Sequence, residues 1–344
     1  MTAAREEGPG AHGRAALDRR DFLRRLGAGS VLAAGSAAAA FALRYGGLEL
    51  EPAPSRGDAG VPERKGEGGR GEGSGAPPVV AVVKGDDPAA AARKALELLG
   101  GMKRFVRPGE KVLVKPNIGW DRRPKFAANT NPEVVAAVVR AAFEAGASRV
   151  WVTDSPCNNP VRCFDRSGLR RSLEGSGAEL FVPSRGDYVE QDLRGAWLGR
   201  WPVLRVVLEA DKIVNVPIAK HHSSAVLTLG MKNWYGILGG GKRRGRLHQR
   251  MAESIVELAA FVRPVLTVLD AYRILFRNGP QGGSLLDTKL LKTVVASTDP
   301  VAVDAFAASF FGLEPRQVPF IPLAAERGLG VQERDRMKKL EAAV

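Results

Sequence analysis

The residues best equipped for chemistry are Lys115, Asn117, Asp154, Lys220, His221, Lys232, Asn233 and Asp270. Most of them close a short apolar run: Val112-Leu-Val-Lys115-Pro-Asn117, Val150-Trp-Val-Thr-Asp154, Ile213-Val-Asn-Val-Pro-Ile-Ala-Lys220-His221 and Leu266-Thr-Val-Leu-Asp270. A lysine just beyond an apolar strand needs a partner or a ligand, because an isolated charge is costly to bury. Lys115, Asn117, Lys220, Lys232 and Asn233 together suit a small anion carrying carboxylate or phosphate. His221 is the group to move a proton, since imidazole titrates near neutral pH. Asp154 and Asp270 would orient the reacting groups or bind a cation. The plainer reading is that an aspartate after a strand is a turn or cap residue. For Asp299, which precedes Pro300, the cap reading is preferred.

Cys157 and Cys163 form C-x5-C after the third apolar run. They read as a disulfide, as two unrelated thiols, or with His221 as metal ligands. A disulfide is natural in an oxidising compartment. No H-x-x-H or C-x-x-C spacing supports a metal, and an iron–sulfur cluster ordinarily takes four thiolates. The loop Gly239-Gly-Gly-Lys-Arg-Arg-Gly245 could fold over a ligand as a basic lid, its glycines permitting close approach. It lacks the phosphate-binding pattern G-x-x-x-x-G-K-[ST].

These residues need a scaffold that brings distant chain positions together. Apolar runs alternate with helix-spaced segments. Val79–Val83, Lys111–Val114, Arg149–Val152, Glu179–Val182, Lys212–Val216, Val265–Leu269 and Thr293–Ala296 read as strands. Val203–Leu208 reads as a strand paired with or beside Lys212–Val216. Helices are expected over Pro88–Leu99, from Pro132 with Asn131 as cap, over Phe164–Leu173, near Ser223 or Ser224, over Met251–Phe261 and from Pro300. Such alternation predicts an α/β fold: a mostly parallel sheet with helices on both faces, Rossmann-like layering and polar insertions. In an open sheet of this kind ligands bind outside the carboxyl ends of the strands. Residues far apart in sequence would meet there.

The chain has 344 residues and a net charge of +14. Nearly all of that excess falls after Pro78, but it is scattered. No aromatic residues interleave with the one dense cluster, Lys242–Arg246, so nucleic acid is not the expected partner. Asp18-Arg-Arg-Asp-Phe-Leu-Arg24 followed by the apolar stretch 26–43 resembles a twin-arginine export signal or N-terminal anchor. Residues 46–78 are rich in Gly, Pro, Glu and Arg and read as a disordered linker. The expected organisation is signal 1–45, linker 46–78, one α/β domain 79–330 and a charged surface tail 331–344. Expected partners are the twin-arginine translocase, the membrane transiently or through the N-terminus, and an anionic small molecule. The expected location is periplasmic or extracytoplasmic.

Val112–Ile118, Asn131–Val135, Val152–Pro156, Val214–His221, Leu227–Asn233, Leu269–Ala271 and Ser297–Asp304 together resemble the bacterial and archaeal domain-of-unknown-function family 362 (DUF362). The resemblance runs from about Val79 to Gly312. It implies a shared site, and it implies metal binding by the C-x5-C pair. Members often carry twin-arginine signals, and some carry fused ferredoxin-like domains. This chain has no such module. The reading is therefore an exported protein, expected to be a metal- or cofactor-dependent enzyme of redox type acting on an anionic small molecule. The cofactor would be a divalent metal or an iron–sulfur cluster. The alternatives are a non-catalytic binding protein for an anionic solute and an assembly factor.

Overall fold

The computed structural model describes residues 76–344. The expected signal or anchor and the expected linker, up to residue 75, lie outside the described residues.

The apolar runs form strands because each is buried on both faces, as parallel strands under two helical layers must be. The first strands are β1 (Val79–Lys84), β2 (Lys111–Pro116), β3 (Arg149–Val152) and β4 (Glu179–Leu180). Later come β7 (Lys212–Val216), β8 (Ile218–His222), β9 (Val226–Thr228), β10 (Leu266–Leu275), β11 (Thr288–Ser297) and β12 (Lys338–Ala343). These ten strands make one sheet in the order β12-β1-β11-β10-β7-β2-β3-β4, with β8 and β9 branching from β10. Most pairings are parallel, but β11 runs antiparallel to both β1 and β10. A separate hairpin joins β5 (Tyr188–Asp192) to β6 (Arg200–Leu204).

Alternation along the strands sends side chains to two cores. Val112, Val114, Val214, Val216, Leu266 and Val268 face helices α1 (Pro88–Leu98) and α2 (Pro132–Glu144). Leu113, Ile213, Leu269 and Val295 face α6 (Met251–Val262), α7 (Pro300–Ala308) and α8 (Phe320–Glu326). Short helices α3 (Pro160–Arg166), α4 (Leu169–Ser172) and α5 (Arg205–Glu209) fill the connections. Asn131 caps α2 and Asp299 caps α7, each accepting from a first-turn N–H. Among the described residues no helix is long and apolar enough to cross a membrane.

Three local expectations differ. The segment after Ser223 is not a helix; β8 and β9 make a hairpin whose turn is held by the His222 ring. β7 ends at Val216 as expected, because Pro217 has no N–H for the ladder, and the chain resumes as β8 beside β10. Val203–Leu208 divides into the end of β6 and the short helix α5. The expected charged tail is an ordered edge strand: β12 pairs in parallel with β1, from Lys338 opposite Val79 to Ala343 opposite Lys84.

Candidate functional site

Lys115 lies on the α6/α7 side of β2, two residues beyond Leu113, and is fully buried. Its ammonium donates to Asp154 Oδ1 at 2.7 Å, to Pro116 O at 2.7 Å and to Asn233 Oδ1 at 3.2 Å. Burial pulls the Lys115 pKa down, and the Asp154 charge opposes that pull. Asp154 sits just past β3. Its Oδ2 accepts from Ile118 N, so one carboxylate ties the ends of β2 and β3 together.

Two amides extend this pair into a network. Asn117 donates through Nδ2 to Asn233 Oδ1 at 3.1 Å and accepts through Oδ1 from Lys220 Nζ at 2.8 Å. Lys220 also donates to Ala128 O. Asn233 donates to Lys115 O and to Asn215 Oδ1, and Asn215 donates to Gly230 O. The 3₁₀ segment Met231–Ile237 that carries Asn233 is fixed at its start by Asp304 of α7, which accepts from Gly230 N and Met231 N. Burial raises the Asp304 carboxyl to about 7.

Around this network the charge is uncompensated. Lys220 has only neutral oxygens as acceptors. Burial lowers its pKa to about 7; the Lys232 and Lys115 charges add to the effect, and Cys157 and Asp154 oppose it. Lys232 is 7% exposed and reaches no acceptor among the described residues; its Nζ stands 4.4 Å from the centre of the Tyr235 ring. Burial lowers it to about 8; Arg244 adds to the effect and Cys157 opposes it. Arg244 comes from the segment Gly241–His248, a 3₁₀ turn in the loop expected to act as a basic lid. It donates to Ser155 Oγ and Tyr235 O, both neutral. The one carboxylate in the cluster, Asp154, is already paired with Lys115. The group reaches the surface at Cys157, at His248 and, in part, at Asn117 and Arg244.

Thus Lys115, Asn117, Asp154, Lys220, Lys232 and Asn233 converge. Asp270 does not join them. It alternates with Leu266 and Val268 on the α1/α2 side of β10, where it accepts from Asn131 N and Tyr272 N. Burial raises it to about 6. His221 is also apart: alternation along β8 sends it to the side opposite Lys220, and its Nδ1 accepts from Gly279 N. His222 shares the Lys220 side, but its Nδ1 is occupied by Ser224 N and Ala225 N. Burial and the Lys232 and Lys220 charges hold its pKa far below the usual histidine range.

The proposed metal set is not assembled. Both cysteines are free, Cys157 exposed and Cys163 buried. Cys163 lies in the α1/α2 core, where burial pushes its thiol up to about 12. Among the described residues no three of His, Cys, Asp and Glu gather as metal ligands. The groups that do gather are mainly cations. That donor set does not fit a divalent metal or an iron–sulfur cluster.

Three contributors were missed by sequence reasoning. Arg244 was grouped with a loop rather than the site. Thr228 lies opposite Lys220 in the β8–β9 ladder and leaves a buried Oγ1 with no hydrogen-bond partner. Val226 has a positive φ of 66°, rare for a β-branched residue, and is spanned by a bond from Leu227 N to Ala225 O. Backbone strain of that kind gathers at functional sites. Nothing in a Val or Thr codon position signals it. An open groove of about 780 Å³ lies elsewhere, between α1, α2 and α4, with Asp86, Asp87, Glu133, Arg140 and Arg171 on its walls. Its charges are mixed and surface-exposed, so the buried cluster is the stronger candidate.

Comparison with known proteins adds a family and a relative. A family model described as "Domain of unknown function (DUF362)" matches residues 112–309. Thylakoid-associated protein sll1697 of Synechocystis sp. is 32% identical over 249 residues, spanning 70% of this chain and 75% of that protein. Among solved structures, the lactate racemase apoprotein of Thermoanaerobacterium thermosaccharolyticum aligns with a TM-score of 0.43 and 11% identity. That alignment covers 67% of this chain and 56% of the other.

Proposed function

The chain belongs to the DUF362 family, and within that family we propose that this member is an exported enzyme whose sheet-edge cluster binds a small oxyanion. One observation carries the reading. Lys220, Lys232 and Arg244 are brought together with no free carboxylate to balance them. Buried cations without partners are expensive. A carboxylate or phosphate would neutralise them and supply the missing acceptors. Thr228 Oγ1 would offer a further hydrogen bond.

Lys115 and Asp154 play a different part. Their pair closes the floor of the site and fixes the Asn117–Asn233 bridge that holds Lys220. Lys220 is the residue best placed to exchange a proton near neutral pH, because its lowered pKa makes both forms accessible. His221 is not given that role. No step is routed through a metal, since the donor set does not fit one.

Export rests on Arg19-Arg20 and the apolar stretch behind them; the thylakoid association named for the Synechocystis relative agrees with a place at or beyond a membrane. The twin-arginine translocase is the proposed carrier.

The test is calorimetric titration of the purified protein with sulfate, phosphate and small carboxylates. Saturable binding that is lost in Lys232→Met and Lys220→Met supports the reading. Heats no different from a buffer blank across the series would sink it. Binding without turnover of any bound compound would reduce the protein to an anion receptor.

A further inference from the structure

The three buried lysines of the site are held in different ways. Lys115 is spent on Asp154. Lys220 is tied to Asn117 Oδ1 and Ala128 O. Among the described residues Lys232 has neither a hydrogen bond nor an ion pair; its side chain lies against Tyr235, and the Arg244 charge favours loss of its proton while Cys157 opposes it. For a purely structural position this arrangement has no use, because a methionine would fill the same space without desolvating a charge. For a nucleophile it is apt. Burial next to other cations is how a lysine amine is freed of its proton, and an amine not anchored to an acceptor is free to turn its lone pair toward an incoming carbon.

We propose that Lys232 is the nucleophilic amine of this site and forms an imine with the carbonyl carbon of a small oxo-anion, an aldehyde or ketone carrying a carboxylate or phosphate. The inference rests on the oxyanion reading above, with Lys220 and Arg244 holding the anionic end. The chemistry balances without any further reactant. The Lys232 ammonium releases one proton, and the neutral Nζ adds to the carbonyl carbon to give a carbinolamine. The carbinolamine hydroxyl takes up that released proton and leaves as water, and a protonated imine remains. A pKa near 8 gives Lys232 roughly three hundredfold more free amine at neutral pH than an ordinary lysine has. The Tyr235 ring beneath the ammonium still permits the protonated form, so the amine can accept its proton back when the imine hydrolyses.

The experiment uses glyoxylate with cyanoborohydride on the intact protein, followed by peptide mapping of reduced adducts. Lys232 should be labelled on the order of tenfold faster than the exposed Lys103 and Lys125. Phosphate should suppress that excess, and Lys220→Met should reduce it without altering the surface rate. Lys232→Met should remove the fast adduct while its circular dichroism spectrum stays unchanged. Labelling of Lys232 no faster than Lys103 overturns the proposal. If calorimetry on the same sample still shows phosphate binding, the imine falls and the oxyanion site stands. If phosphate does not bind and no lysine is preferred, both fall.

Discussion

Gly236 presses its backbone against the Asp154 carboxylate: a Cβ added there would stand 1.7 Å from Asp154 Oδ1 and 2.6 Å from Lys115 Nζ. The backbone cannot easily retreat, because Gly236 O accepts from Ser155 N at 2.7 Å. Gly236→Ala should therefore break the buried pair and cost about 3 kcal/mol or more in urea denaturation. Lys115→Met and Asp154→Leu alone should each cost as much, since each strands a buried polar partner. The double variant should cost less than either single one, because an apolar pair leaves no charge unpaired.

Anion affinity should fall as pH rises. Lys220 and Lys232 lose their charge as pH rises through about 7 and about 8 respectively. Between pH 6 and pH 9 sulfate, whose own charge is constant, should bind about tenfold more weakly for each ammonium lost. The unliganded protein should behave oppositely. Both lysines titrate below their unfolded value of 10.5, so the unfolded chain binds more protons between the two values. The contribution of these groups to stability is full above 10.5 and is lost as pH falls through about 8 and 7. Calorimetric titration and urea midpoints over the same pH series check the two slopes.

A ligand that satisfies the cations should also stabilise the fold. Sulfate at a hundredfold above its dissociation constant should add about 2.7 kcal/mol to the unfolding free energy. Lys232→Met should lose that increment yet be about 1 kcal/mol more stable than the parent without sulfate, having shed an unpaired buried charge. A thermal melt of both proteins with and without sulfate measures all four values.

The two adjacent histidines should separate cleanly. His221→Ala removes an acceptor for Gly279 N on the far side of β8 and should leave sulfate affinity within about twofold. His222→Ala removes the ring that receives Ser224 N and Ala225 N. Hydrogen exchange of those two amides should accelerate in His222→Ala and stay slow in His221→Ala.

The layered sheet was legible because its strands are apolar on both faces and its helices are punctuated by Asn131-Pro132 and Asp299-Pro300. The convergence of Lys115, Asp154 and Lys220 followed from strand ends alone. What failed did so for local reasons. β7 stops before Pro217 as expected, but the chain continues as the strand β8 rather than entering a helix, and alternation along β8 puts His222 on the Lys220 side and His221 on the other. Asp270 closes a strand like Asp154, but one position of pleat decides which face a side chain meets. Arg244 depends on a loop that folds back onto Tyr235, and loop trajectories leave no periodic trace. Residues 331–344 look like a solvated tail because an edge strand shows one face to water.

The pairing of β1 with β11 on one side and β12 on the other has a consequence for how the protein is made. Both neighbours of β1 are translated more than two hundred residues after it. The earliest described strand thus emerges from the ribosome with no partner and must remain unpaired until β11 and β12 have been made. Truncation before Lys338 would leave that strand with a bare outer edge, open to pairing with another molecule.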